Sequence, residues 1–215
     1  MSASVPIVYV EANWVVAFVV AHDDAHKSSM RLLEQAKNGD CELRIPRAAV
    51  LESRGAVANA IRRFYKPFEE VRNAVAKAYR NGVAELNHIE ASMNAPAVRA
   101  YMTLDTEQRR QALLRDTAIN IFSDPLPELA MMDKLSSLVR MGGVDLKDFY
   151  ILTSILNDRS EASRSGRQAM FFSTNKEEFE PDKKIDRATY EAYRLVWRRD
   201  FELVGGLKDW ADAFP

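Results

Sequence analysis

Three carboxylates and an amide stand where a reaction could be carried. Glu11 follows directly on the apolar run Val5-Pro-Ile-Val-Tyr-Val10, and Asn13 lies two residues on. Glu52 falls in the first turns of the helical stretch after Cys41-Glu-Leu-Arg-Ile45 and Pro46. Asp148 opens the apolar helical stretch to Leu156, with Asp145 three residues upstream. The run Gln168-Ala-Met-Phe-Phe172 ends in Ser173-Thr-Asn175, with Glu177 and Glu178 just after. Ligand chemistry in an open parallel sheet gathers at the carboxyl ends of its strands. If these acids converge there, like charges repel, and one takes up a proton unless a cation compensates. Oxygen donors without His or Cys suit Mg²⁺ or Mn²⁺. Such an ion activates water and stabilises charge developing at phosphorus, which is the chemistry of phosphodiester hydrolysis. Each residue also has a plain reading: Glu52 on a solvated helix face, Asp148 and Asn13 as helix N-caps, Asn175 in a turn.

The elements that must position these groups read as an α/β chain. Val5 to Val10 is apolar throughout, as in a strand buried on both faces of a parallel sheet. Strands are expected at Val5–Val10, Cys41–Ile45, Gln168–Phe172 and Phe201–Val204. Helices are expected from Trp14, from Ala25 to Lys37 ending at Asn38-Gly39, and from Ala48 to Tyr65. Pro67 then ends or kinks that helix, and the next reaches Arg80. Residues 85–140 read as helical, with separate helices at Ala95–Met102, Thr106–Ile121 and Glu128–Met141, ended by Gly142-Gly143. A further helix is expected over Arg187–Arg199, after a charged, loop-like stretch. Alternation of strand and helix argues a three-layer α/β/α sandwich with a small, mainly parallel sheet. The 215 residues form one domain, 1–215, carrying a long helical insertion over 56–140.

Composition narrows the classes. Lys plus Arg number 30 and Asp plus Glu 31, so the net charge of −1 offers no general attraction for nucleic acid. Any such argument must be local. Arg54 to Arg80 holds seven basic residues and two Glu, a charge of +5 starting just after Glu52. Arg54, Arg62, Arg63 and Lys66 there are candidates for phosphate contacts, and Phe64, Tyr65 and Tyr79 for stacking on bases. A solvated helix face with core aromatics fits the same residues. Cys41 is the single cysteine, which excludes an intrachain disulfide and a Cys₂ or Cys₄ zinc site, and it reads as a small buried hydrophobe. The apolar start has no Lys or Arg before it and is interrupted by Glu11 and Asn13, unlike a signal peptide or a membrane span. The chain is therefore expected to be cytoplasmic. His22-Asp-Asp-Ala-His26 reads as a turn between helices, with Asp24 as N-cap, rather than as a metal cluster.

At these acids the sequence resembles the PIN-domain family. The resemblance rests on Ile7-Val-Tyr-Val-Glu-Ala-Asn13, Ile45-Pro-Arg-Ala-Ala-Val-Leu-Glu52, Asp148-Phe-Tyr-Ile-Leu-Thr-Ser-Ile-Leu156 and Phe171-Phe-Ser-Thr-Asn-Lys-Glu-Glu-Phe179. It covers residues 5–55 and 143–207 and not the stretch between. It implies a metal-dependent endoribonuclease acting on single-stranded RNA, of the VapC toxin type, with an antitoxin protein and a second copy of the chain as candidate partners. On that resemblance Glu11, Glu52 and Asp148 hold Mg²⁺ or Mn²⁺, Asn175 fills the fourth catalytic position and Asn13 orients a ligand or water. Glu178 is an auxiliary acid, with Asp145 and Ser173 beside the site. The first acid of the pattern is usually Asp. Glu11 lengthens it by a methylene, and Asn175 replaces an acid. Those departures carry the alternative of a weak or inactive RNA-binding module of the same fold.

Overall fold

The apolar strands of the sequence build one sheet, seen in a computed structural model that describes residues 5–21, 23–81, 95–122, 145–161, 164, 166–199 and 201. Strand β1 (Ile7–Val10) is buried at every residue. Helices α1 (Ala12–Val19) and α2 (His26–Lys37) lead to β2 (Glu42–Pro46). The α2 end is closed by Gly39 at φ +80°, a left-handed conformation that suits glycine at a helix C-terminus. Helices α3 (Arg47–Arg80) and α4 (Ala95–Leu114) precede β3 (Ile119–Phe122). Helix α5 (Leu146–Ser160) precedes β4 (Ala169–Phe172). The short α6 (Lys176–Phe179) and α7 (Arg187–Ala192) lead to β5 (Leu195–Arg198).

All pairings are parallel and the order is β3-β2-β1-β4-β5, flanked by helices in the expected three-layer α/β/α arrangement. The order reverses between β1 and β4. Val10 stands opposite Phe172 in register, so Glu11 and Ser173 leave the sheet side by side at that switch point. One helical layer covers each face. α1 packs on α2, α3 and α4, while Tyr9 on β1 and Arg44 on β2 reach Asp158 of α5.

Several expectations need correction. Residues 56–140 are not helical throughout, because Ile119–Phe122 forms the edge strand beside β2. The helix expected over Thr106–Ile121 stops at Leu114. Ala95–Met102 and Thr106 onward are one helix, since Thr103 and Thr106 turn their hydroxyls onto the helix carbonyls behind them and interrupt nothing. Pro67 sits inside α3 without ending it. It removes one helix hydrogen bond, and Ile61 and Tyr65 just before it are anchored in the core.

At the far end, Arg187–Arg199 is not one helix. The chain turns at Arg194 (φ +49°), and Leu195-Val-Trp-Arg198, rich in strand-forming side chains, joins the sheet instead. Phe201 is buried but lies outside any strand, and 202–204 are outside the described residues, as are Glu128–Met141 and Gly142-Gly143. Asn13 is not a cap: α1 begins at Ala12, with Glu11 at the N-cap position. Nor is Asp24, since α2 begins at His26 after Ala25, and His26 Nδ1 lies 2.9 Å from the Ala17 carbonyl. Cys41 is buried, and burial pushes its thiol up to about 12, so it stays protonated.

Candidate active site

The switch point fixes the first two groups. Glu11 is buried, and its Oε1 accepts hydrogen bonds from Asn13 Nδ2 (2.8 Å) and Ser173 Oγ (2.5 Å). Asn175 N donates to Ser173 Oγ at 3.0 Å, which ties the turn after β4 to the same group. Asn175 Nδ2 in turn approaches Asp148 Oδ2 at 3.4 Å.

Asp148 is free for this contact because it is not the cap of its helix. Asp145 takes that place, its Oδ1 accepting from Lys147 N at 2.9 Å, and Asp148 falls in the first turn. Glu178 Oε2 accepts from Asp145 N at 3.3 Å, and Lys184 pairs with Glu178 Oε1. The structure therefore brings Glu11, Asn13, Asp145, Asp148, Ser173, Asn175 and Glu178 into one hydrogen-bonded neighbourhood.

Glu52 joins them through charge. Burial pushes Glu11 up to about 7, helped by the charges of Asp148 and Glu52 and opposed by the Ser173 hydrogen bond. Burial pushes Asp148 up to about 7 as well, with Glu52, Glu178 and Asp145 adding to it and Lys184 opposing. Glu52 is also raised, by burial first and Asp145 next, against the pull of Lys147. The buried Glu52 Oε2 has no hydrogen-bond partner.

These acids bind protons more tightly in the folded chain than in the unfolded one, so their contribution to stability falls as pH rises from about 4.5 to about 7. Protein kept in EDTA is expected to melt lower at pH 8 than at pH 5.5. Glu11→Gln is expected to shrink that difference in thermal denaturation. An unchanged difference in the variant would show that Glu11 is not one of the groups responsible.

The donor set is oxygen only, as a hard divalent cation requires, and the unpartnered Glu52 oxygen is an acceptor such an ion would satisfy. Among the described residues, no group of three or more His, Cys, Asp or Glu side chains is arranged to hold a metal ion as the side chains stand. An open cleft of about 750 Å³ runs from Glu52 between α3 and α5, with Leu51, Gly55, Asn59, Lys147 and Tyr150 on its walls.

The basic candidates lie along α3. Arg54, Arg62, Arg63 and Lys66 are all exposed, and Arg62 is about 15 Å along the axis from Glu52. Lys66 approaches Glu70 at 3.9 Å, while Glu69 pairs with Arg99 of α4 at 3.1 Å. Tyr65 is not a stacking surface. It is buried, packs with Phe64 and Phe68, and its hydroxyl donates to Met102 Sδ.

No family model matches the chain, and no curated protein matches its sequence. The chain is similar in structure to VapBC2 from Rickettsia felis, solved bound to a DNA fragment from its promoter. The two are 11% identical, with a TM-score of 0.42, over 89% of this chain and 97% of that one. Among the described residues, no helix is long and apolar enough to cross a membrane.

Sequence reasoning missed Lys147 and Lys184. Lys147 is adjacent to Asp148 in sequence and shares its helical turn, which is a readable signal. Lys184 lies in a charged stretch whose fold no local pattern reveals.

Proposed function

We propose that the chain is a metal-dependent endoribonuclease that hydrolyses phosphodiester bonds of single-stranded RNA. The observation that supports this best is the buried Glu11 at the switch point of the parallel sheet, tied through Ser173 and Asn175 to Asp148, with Glu52 close enough for its charge to act on both. Glu11, Glu52 and Asp148 would hold Mg²⁺ or Mn²⁺. When bound, the ion would supply an activated water and stabilise charge on the scissile phosphate.

The chain's own groups do the rest. Ser173 and Asn13 orient Glu11 by donating to its Oε1. Asn175 holds Asp148 from the turn after β4. The cleft beside Glu52 admits an extended strand, while Arg54, Arg62, Arg63 and Lys66 hold its phosphates. A toxin role with an antitoxin partner belongs to this reading.

The test is incubation of the purified chain with mixed RNA and single-stranded DNA in Mn²⁺, with and without EDTA. Cleavage of RNA that EDTA abolishes is the expected result; no metal-dependent cleavage of either substrate rejects the reading. The double variant Arg62→Ala/Arg63→Ala is expected to weaken RNA binding several-fold and to flatten the salt dependence by about two phosphate contacts. Filter binding over 50–200 mM salt reads both.

A second reading, an RNA-binding module without turnover, is favoured by one observation. Glu11 Oε1 is already engaged by two donors, and no three-ligand group is assembled among the described residues. RNA binding that EDTA leaves unchanged, without cleavage, would decide for it.

A further inference from the structure

One residue of the cleft beside Glu52 breaks a local rule. Gly55 lies in the interior of the 34-residue helix α3, where glycine is the least favourable residue after proline. Close packing does not require it, because no atom of the described residues lies within 4 Å of the point its Cβ would occupy. What the missing side chain leaves open is the floor of the cleft, about 4.5 Å along the helix axis from Glu52. Leu51 and Asn59 stand one turn to either side of Gly55 on the same helix face, and the half-buried Tyr150 of α5 forms the facing wall. A cation stands toward each end. Lys147 is near the acids, where its charge pulls on Glu52. The exposed Arg62 continues the face of Gly55 seven residues on, about 10 Å along the axis. The cleft holds about 750 Å³, within the range of sites that take a small ligand.

We propose that this cleft is a base-binding subsite: one unstacked base of the RNA strand lies over Gly55 against the Tyr150 ring, its edge toward the Asn59 amide and its flanking phosphates toward Lys147 and Arg62. This rests on the RNA-cleaving reading above. Single-stranded RNA is read by splaying a base out, stacking it on an aromatic ring and hydrogen-bonding its edge. A flat, largely apolar ring between two phosphates matches a trough with Leu51 and Tyr150 on its walls and a cation toward each end. Glycine lets that ring approach the helix backbone, and a larger side chain at 55 would stand in its place. The Asn59 amide offers both a donor and acceptors, so it can rank bases by their edges. Tyr150 and Asn59 are thus specificity-determining residues, separate from the acids.

The experiment is fluorescence anisotropy of the full chain with a labelled RNA hexamer, with the same strand made abasic at each position in turn, and with each of the four bases at the position that responds. It is run in EDTA and again in Ca²⁺, a hard cation that offsets the charge of the acids. Wild type is expected to lose about tenfold in affinity when one particular position is abasic and little at the others. Gly55→Leu and Tyr150→Ala are expected to bind the intact strand about tenfold more weakly and to stop distinguishing it from the abasic one. Asn59→Ala should keep that distinction and flatten the ranking of the four bases. Gly55→Leu should melt no lower than wild type, because leucine favours the helix, so its loss of binding is not unfolding. Intact and abasic strands bound equally by wild type, or undiminished discrimination by Gly55→Leu, overturns the proposal and leaves the cleft to a protein segment. The wild-type comparison decides this even if a variant fails to fold. No RNA bound by wild type in either condition rejects the RNA reading itself, a result distinct from both of these.

Discussion

Asp148→Asn is expected to reduce metal-dependent RNA cleavage by about 10²–10³-fold or more while the protein stays folded. The carboxylate is one of three that would hold the cation, and an amide supplies neither its charge nor its second anionic oxygen. The fold should survive because Asp145, not Asp148, caps α5. The amide oxygen can still accept from Asn175 Nδ2.

A second signature separates this from general damage. Asp148 is held near neutral pH by burial and by Glu52, Glu178 and Asp145, so its ionised form is a cost to the folded state. Removing that charge should raise the melting temperature in EDTA most at pH 8, less at pH 5, and hardly at all below pH 4, where the carboxyl is protonated in the unfolded chain too. Single-turnover cleavage of a labelled RNA, with melting curves at the three pH values, reads both effects. Retained cleavage by the variant would remove Asp148 from the proposed site.

The parts of this site that were legible in the sequence were those set by strand ends. A fully apolar run such as Ile7–Val10 announces a central parallel strand, and the residue after it must lie at the carboxyl edge. Glu11 and Ser173 follow from that logic alone, and the register of Val10 against Phe172 places them side by side. Asn13 and Asn175 were placed near the edge but given caps and turns as plain alternatives. The side-chain hydrogen bonds that engage them depend on rotamers, which sequence spacing does not encode.

The misread elements have a common cause. Ile119-Asn-Ile-Phe122 and Leu195-Val-Trp-Arg198 are four residues long, directly preceded by segments with helical periodicity. A short apolar run carries too little pattern to separate strand from helix. Only pairing with β2 and β4 settles their state, and that is non-local. Lys184 was missed for a related reason. Its position depends on the left-handed Asp182 and the buried Ile185, which close the loop through contacts within it and onto the core.

Asp158→Asn is expected to destabilise the protein by about 3–5 kcal/mol, the cost of breaking a buried ion pair by removing one partner. Arg44 on β2 donates to Asp158 from Nε at 2.9 Å and from Nη2 at 2.6 Å, and the two side chains are 3% and 5% exposed. Tyr9 Oη donates to the same carboxylate at 2.7 Å, and the Arg44 guanidinium lies 5.1 Å from the Phe122 ring centre. Burial works against Arg44, but Asp158 and Glu42 more than offset it and hold the guanidinium above its usual range.

An amide at 158 would leave that charge under the helix with half its partners. The melting temperature should fall by roughly 6–20 °C, given about 2–4 °C per kcal/mol for a chain of this size. Replacing the group as a whole, with Arg44→Met, Asp158→Leu and Tyr9→Phe together, should recover most of the loss, because no buried charge then remains unpaired.

The effect should reach the candidate site as well. Asp158 and Asp148 lie ten residues apart on α5, about 15 Å along its axis. The pair ties one end of α5 to β1 and β2, so its loss is expected to let the helix shift along the sheet and move Asp148 from Asn175. Asp158→Asn is accordingly expected to lose cleavage rate at temperatures where circular dichroism shows it still folded, and the triple variant to regain less rate than stability. Equal recovery of both in the triple variant would mean that the buried pair stabilises α5 without positioning it.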